Sequence, residues 1–183
     1  MIEREDIIIS TSKKKLLLLS LTCAVFISGG FWIILDRSPM ENSLFDSIFL
    51  KYSVGGLSIV VFGAFIIYPI VKLFDSKPSL IIGQKGIIDN SNAVALGEIP
   101  WSDIVNVKET IFFSLKFITI ILNEPQKYLN KQTNKLKLKS LITNLKKSGS
   151  PVNISTVSLS ISHDKLMKLL TDRLNTFAKA GKN

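Results

Sequence analysis

Two apolar runs, residues 16–35 and 54–74, constrain this chain more than any other feature of it. Each holds about 20 residues, and the one charge in either is Lys72, near the end of the second. At about 1.5 Å of rise per residue, a helix of that length matches a hydrocarbon core about 30 Å thick. Lipid offers no water to satisfy backbone amides, so both runs are expected as helices. The chain is therefore read as an α+β membrane protein. Its parts are an N-terminal segment (1–15), two spans (16–35 and 54–74), an external segment (36–53) and a soluble remainder (77–183).

Charge sets the expected orientation. Lys13, Lys14 and Lys15 abut the first span, and Lys72 and Lys77 flank the exit of the second. The external segment carries Arg37 and Lys51 against Asp36, Glu41 and Asp46. By the positive-inside rule, both termini are expected in the cytoplasm. Within that segment, Ser43 with Asp46 three residues later predicts a helix start. Phe45, Ile48, Phe49 and Tyr52 predict an aromatic stripe at the outer interface. Ser20, Ala24 and Ser28 on the first helix, and Gly56 and Gly63 on the second, predict faces for close packing. Such faces serve either the two helices of one chain or a homo-oligomer. Pro69 predicts a kink, because its ring removes a backbone hydrogen bond. Cys23, the single cysteine, lies inside the first span, so no intrachain disulfide and no cysteine-based zinc site is available. The apolar run continues well past it, longer than the core of a cleaved signal peptide, which predicts a packing residue of an uncleaved helix.

Net charge is +9, from 23 Lys and Arg against 14 Asp and Glu, and about +8 of it falls from Asp75 onward. A basic domain tied to a membrane is attracted to anionic headgroups. The alternation of arginines and aromatics that strand or base recognition uses is absent, which argues against nucleic acid as partner.

The soluble part reads as short β-branched strands followed by helices. Residues 80–83 and 87–90 predict a hairpin, with Gly86 supplying a positive φ at its turn. Residues 93–96 predict another short strand, and 105–110 and 115–122 two longer ones. Pro100 cannot donate to a sheet ladder and so marks a strand edge or bend. Trp101 is expected to plug the core, and Ser102 and Asp103 to turn the chain by bonding nearby backbone amides. Ile7, Ile8 and Ile9 predict a strand within 6–11 that joins the same cytoplasmic sheet. Pro125 predicts a helix start, with the helix running towards Lys147 before Gly149 and Pro151. The polar stretch Asn130, Gln132, Thr133 and Asn134 weakens that helix at its middle. Leu138, Leu141, Ile142 and Leu145 form its apolar stripe. Lys127, Lys131, Lys135, Lys137 and Lys139 are the candidate lipid-facing side chains. Residues 152–155 and 156–161 predict strands. From Ser162 a last amphipathic helix is expected, with Leu166, Leu169, Leu170, Leu174 and Phe177 on one face. His163, the only histidine, is expected at the surface.

The stretch LIIGQKGIIDNSNAVALGEIPWSDIVNV (80–107), with its PWSDI segment after a hairpin, resembles the opening of a bacterial PH-like domain. Together with YLN (128–130), PVNISTVSL (151–159) and the two spans, it resembles small bacterial inner-membrane proteins of unknown function. The resemblance implies an antiparallel β domain closed by a C-terminal helix, at the bacterial inner membrane. Gly86, Pro100, Trp101 and Asp103 are then structural positions, and no reaction is implied.

No phosphate-binding loop, nucleophile elbow, zinc-protease motif, paired carboxylates or Cys/His cluster appears in the sequence. Catalytic, cofactor and metal sites are accordingly not expected. The expected function is a non-catalytic, membrane-anchored interaction module that binds anionic membrane lipid or an unidentified membrane or cytoplasmic protein. The alternative is an immunity-type protein that neutralises a toxin at the same membrane.

Overall fold

The computed structural model describes residues 6–36, 48–112 and 114–180. The chain divides into two units, one spanning Ser12–Ser76 and the other holding the residues before and after it.

The first unit is a pair of helices, α1 (Lys13–Leu35) and α2 (Ile48–Phe74). Ser12 caps α1, its Oγ accepting from the Lys15 amide at 3.4 Å. The expected helix start at Ser43 and Asp46, and Phe45, lie outside the described residues. Both helices are long and apolar enough to cross a membrane. In α1 the buried residues Leu16, Cys23 and Gly30 fall seven apart, with half-buried Ser20 and Ile27 between them and Ile34 following. A seven-residue repeat keeps one seam of a helix against its partner. The backbones meet at Gly30 and Gly55: a Cβ on Gly30 would lie 2.8 Å from the Gly55 carbonyl oxygen. A Cβ on Gly55 would lie 2.7 Å from Ile34 Cγ1. Phe26 stacks on Phe62 with ring centroids 4.2 Å apart, and Ser58 Oγ donates to the Phe26 carbonyl at 2.9 Å. Lys51 turns inward and its Nζ donates to the Asp36 carbonyl at the end of α1.

This seam corrects the expected one. Ser28 is exposed, and Gly56 and Gly63 face open space. A four-residue spacing advances about 40° per step around a helix, so the Ser20–Ala24–Ser28 row winds off a seam that repeats every seven. Gly55, not its neighbour Gly56, takes the contact.

The second unit contains two antiparallel sheets. The first has the order β1 (Ile7–Ile9), β2 (Leu80–Ile82), β3 (Gly86–Asp89), β4 (Gly97–Pro100). The second comprises β5 (Ile104–Phe112), β6 (Leu115–Leu122) and β7 (Val152–Ser155). Between β6 and β7 lie α3 (Pro125–Leu129) and α4 (Lys135–Ser148), and α5 (His163–Ala180) ends the chain. Strand alternation sends Ile82, Ile87 and Ile99 inward from the first sheet and Ile118, Ile120 and Ile154 inward from the second, all fully buried. Leu166 and Leu170 of α5 complete that core, with Leu169 and Leu174 half-buried against it and Phe177 left exposed.

Several local expectations are corrected. Gly86 has no positive φ; the described glycines that do are Gly97 (78°) and Gly149 (81°). Gly86 begins β3, where a Cβ would strike the Ile99 carbonyl and lie 2.7 Å from Pro100 Cα. Its lack of a side chain admits β4, and the turn does not require it. Residues 93–96 form a turn and not a strand, because Asn92 Oδ1 accepts from the Val94 amide at 2.9 Å and so offers the backbone a local partner. Residues 156–161 likewise form a turn, with one isolated bridge from Leu159 to Thr11. The helix expected from Pro125 breaks at its polar middle and restarts at Asn134, whose Oδ1 accepts from the Leu136 and Lys137 amides at 3.0 and 3.1 Å. Gly149 stops α4 in the left-handed conformation that favours glycine.

Candidate functional site

The PWSDI segment is a corner between the sheets. Pro100 ends β4, an edge strand that tolerates a residue without an N–H. Trp101, Ser102 and Asp103 then form one 3-10 turn, closed by the Ile104 amide donating to the Trp101 carbonyl. Trp101 is buried, its Nε1 donating to the Gly83 carbonyl at 3.0 Å and its backbone amide to Lys85 at the same distance. The corner is thereby fastened to the β2–β3 loop.

Since a backbone bond already closes the turn, the Asp103 carboxylate is free to reach across the fold. Oδ2 accepts from Lys127 Nζ and from Tyr128 Oη, both at 2.7 Å. This differs from the expected bonding to neighbouring amides and makes Asp103 a clamp between the corner and α3. The Asn123 amide donates to the Asp103 carbonyl at 3.0 Å, adding a second tie to the same segment. The hydrogen bond from Lys127, then that from Tyr128, hold the Asp103 carboxyl below its ordinary value against the opposing effect of burial. Asp103 in turn holds Lys127 above its ordinary value. Burial, and then the bond to Asp103, push the Tyr128 phenol up. An ionised carboxylate with two strong donors on one oxygen is a poor proton donor, so the cluster's chemistry is adhesion. Among the described residues, no group of three His, Cys, Asp or Glu comes together to hold a metal.

The five candidate lysines do not share one surface. Lys127 is committed to Asp103. Lys131 lies on the turn after α3, with Nζ 6.0 Å from the Tyr128 ring centroid. Lys137 turns inward and donates to the Ala95 carbonyl at 2.7 Å. Lys135 and Lys139 stay exposed on α4, on the side that also carries Lys146 and Lys147. At about 100° per residue from Lys135, Lys139 sits at about 40°, Lys146 at about 20° and Lys147 at about 120°, whereas Lys137 sits at about 200°. Lys146 and Lys147 could have been grouped with Lys135 and Lys139 from the sequence once the helix start at Asn134 was known, because that start fixes the phase.

His163 departs from the surface position expected of it. Its side chain is 12% exposed and its Nε2 lies 2.8 Å from Glu109 Oε2, close but without hydrogen-bond alignment.

Hollows open on this unit among the described residues. One, of about 400 Å³, lies between α3 and α4 against Leu129, Leu138, Ile142 and Leu145. Another, of about 380 Å³, lies on the outer face of the first sheet among Asp6, Ile81, Lys85, Ile88 and Glu98. Comparison with protein-family models, curated protein sequences and solved structures finds no match.

Proposed function

We propose that the protein is a non-catalytic, membrane-anchored interaction module whose PH-like unit works at the inner leaflet of a bacterial cytoplasmic membrane, where it meets anionic lipid. The observation that carries this reading is the surface of the helix pair. Each helix buries a narrow seam and leaves large apolar side chains exposed elsewhere, among them Leu18, Val25, Phe31 and Trp32 on α1 and Val60, Phe65, Ile67 and Val71 on α2. Contiguous apolar surface on this scale needs a cover, and lipid is the cover that suits helices of this length.

Connectivity supports a shared side for both ends. Ile9 pairs with Leu80, three residues before α1 begins to be capped and six after α2 ends. Lys13, Lys14 and Lys15 at one junction and Lys77 at the other favour the cytoplasm for that side.

A second reading, a protein partner, is favoured by one specific feature. Ile8, Ile81 and Ile88 form a cross-strand row on the outer face of the first sheet, and Ile8 and Ile88 are exposed. The test is extraction and accessibility. The full chain should resist alkaline carbonate and partition into detergent, and a cysteine placed at Lys168 should react with an impermeant thiol reagent only after the inner face is opened. Release by carbonate would refute the anchor, and labelling from outside would refute the orientation.

A further inference from the structure

Resting on that anchored reading, we propose that the outer face of α4 is a lipid-docking surface, with Leu136 inserted among the acyl chains and Lys135, Lys139, Lys146 and Lys147 on anionic phosphates. Leu136 is 79% exposed, the most open large apolar side chain among the described residues of the β unit. It stands on the first turn of α4 beside Lys135 and Lys139, and Lys146 and Lys147 continue the same side two turns on. Ile142, partly exposed, borders this side where it meets the apolar stripe. The whole of α4, KLKLKSLITNLKKS, contains no acidic residue. A helix with lysines and an apolar anchor on one side, and a packed apolar stripe on the other, is chemically suited to an anionic membrane surface.

Hydrogen bonds within the unit fix the start of α4. The strand that follows α2 begins at Leu80, and the Ser79 carbonyl accepts from the Asn90 amide at 2.9 Å. The loop after Asn90 leads to Ala95, whose carbonyl accepts from Lys137 of α4. The start of α4 is thus bonded to the loop that follows β3. Lys137 and Lys127, both engaged with the protein, contribute position and no lipid contact. Lys146 and Lys147 take part in their stead, so the charge belongs to one helical face.

The test uses the full chain with Cys23→Ala and a fluorophore on Leu136→Cys, reconstituted into phosphatidylcholine vesicles with or without phosphatidylglycerol. A nitroxide-bearing lipid in the same vesicles quenches any probe that reaches the acyl region. A second protein carries the probe on Lys168→Cys, an exposed position of α5. Quenching at position 136 should exceed that at 168 severalfold in anionic vesicles. It should fall towards the level at 168 in pure phosphatidylcholine, in 1 M salt, and when Lys135, Lys139, Lys146 and Lys147 are all changed to Glu. Equal quenching at the two positions, or quenching at 136 indifferent to phosphatidylglycerol, would overturn the docking surface while leaving the anchor intact. A protein that fails to float with vesicles of either kind would overturn the anchor and the docking surface together.

Discussion

Removing one oxygen, in Tyr128→Phe, tests whether the PWSDI corner is held by the clamp on Asp103. The phenol is buried and donates to Asp103 Oδ2 at 2.7 Å. A hydrogen bond to an ionised acceptor contributes about 1.5–3 kcal/mol. Lys127 donates to the same oxygen from a side chain that is 43% exposed, and the Asp103 side chain is 13% exposed. Water and Lys127 therefore recover part of the loss, which places the expected cost near the lower end, about 1.5 kcal/mol. For a domain of somewhat over a hundred residues this corresponds to a fall in Tm of roughly 5–8 °C. The assay is thermal unfolding of the full chain in mild detergent, followed by the emission of Trp101, with Trp32→Phe in both proteins so that a single buried indole reports. In an Asp103→Ala background the same substitution should cost much less, because its partner is gone. A Tm within about 1 °C of the parent, or an equal cost in both backgrounds, would refute the clamp.

The remaining predictions concern charge and glycine. The stabilisation from Asp103 is fully present above its unfolded value of about pH 4 and is lost as pH falls through its lowered native value. The stability gap between the parent and Asp103→Asn, read by urea titration of Trp101 emission, should therefore narrow as pH drops below about 4; a gap that widens there would contradict the assignment. Gly86→Ala would drive a methyl group into the Ile99 carbonyl, so limited proteolysis should show cleavage of the first sheet under conditions where Gly97→Asn leaves it resistant. Gly55→Val should part the helices and expose Cys23, which is buried in the parent, to a membrane-permeant maleimide. Gly56→Ala and Gly63→Ala, which face open space, should leave its reactivity unchanged.

Much of the architecture was legible because it depends on length and local chemistry. Two 20-residue apolar runs admit little but helices, and β-branched runs such as Ile7–Ile9 and Leu115–Leu122 are strands in the structure as in the sequence. What was illegible depends on residues distant in the chain. A glycine after Gln84 and Lys85 looks like a turn residue, yet the reason for Gly86 is Ile99 and Pro100 on the next strand. The same holds for the partners of Asp103, which lie 24 and 25 residues on. Adjacent Gly55 and Gly56 cannot be ranked from composition, since only the seam decides which one meets Gly30. Proximity along the chain groups the five lysines, but the break before Asn134 resets the helical phase and divides them.

The pairing of β1 with β2 has a consequence for how the protein can be made. Ile9 meets Leu80 across about 70 residues of chain, a separation whose closure entropy must be met before the pairing gains anything. The intervening residues are the helical pair itself, and its association returns the two ends to one another. β1 therefore waits for the second helix before it finds its neighbour β2. Biogenesis of the sheet is thus coupled to assembly of the hairpin, and a fragment starting at Lys77 would lack Ile9 from its core and present β2 as a bare edge open to aggregation.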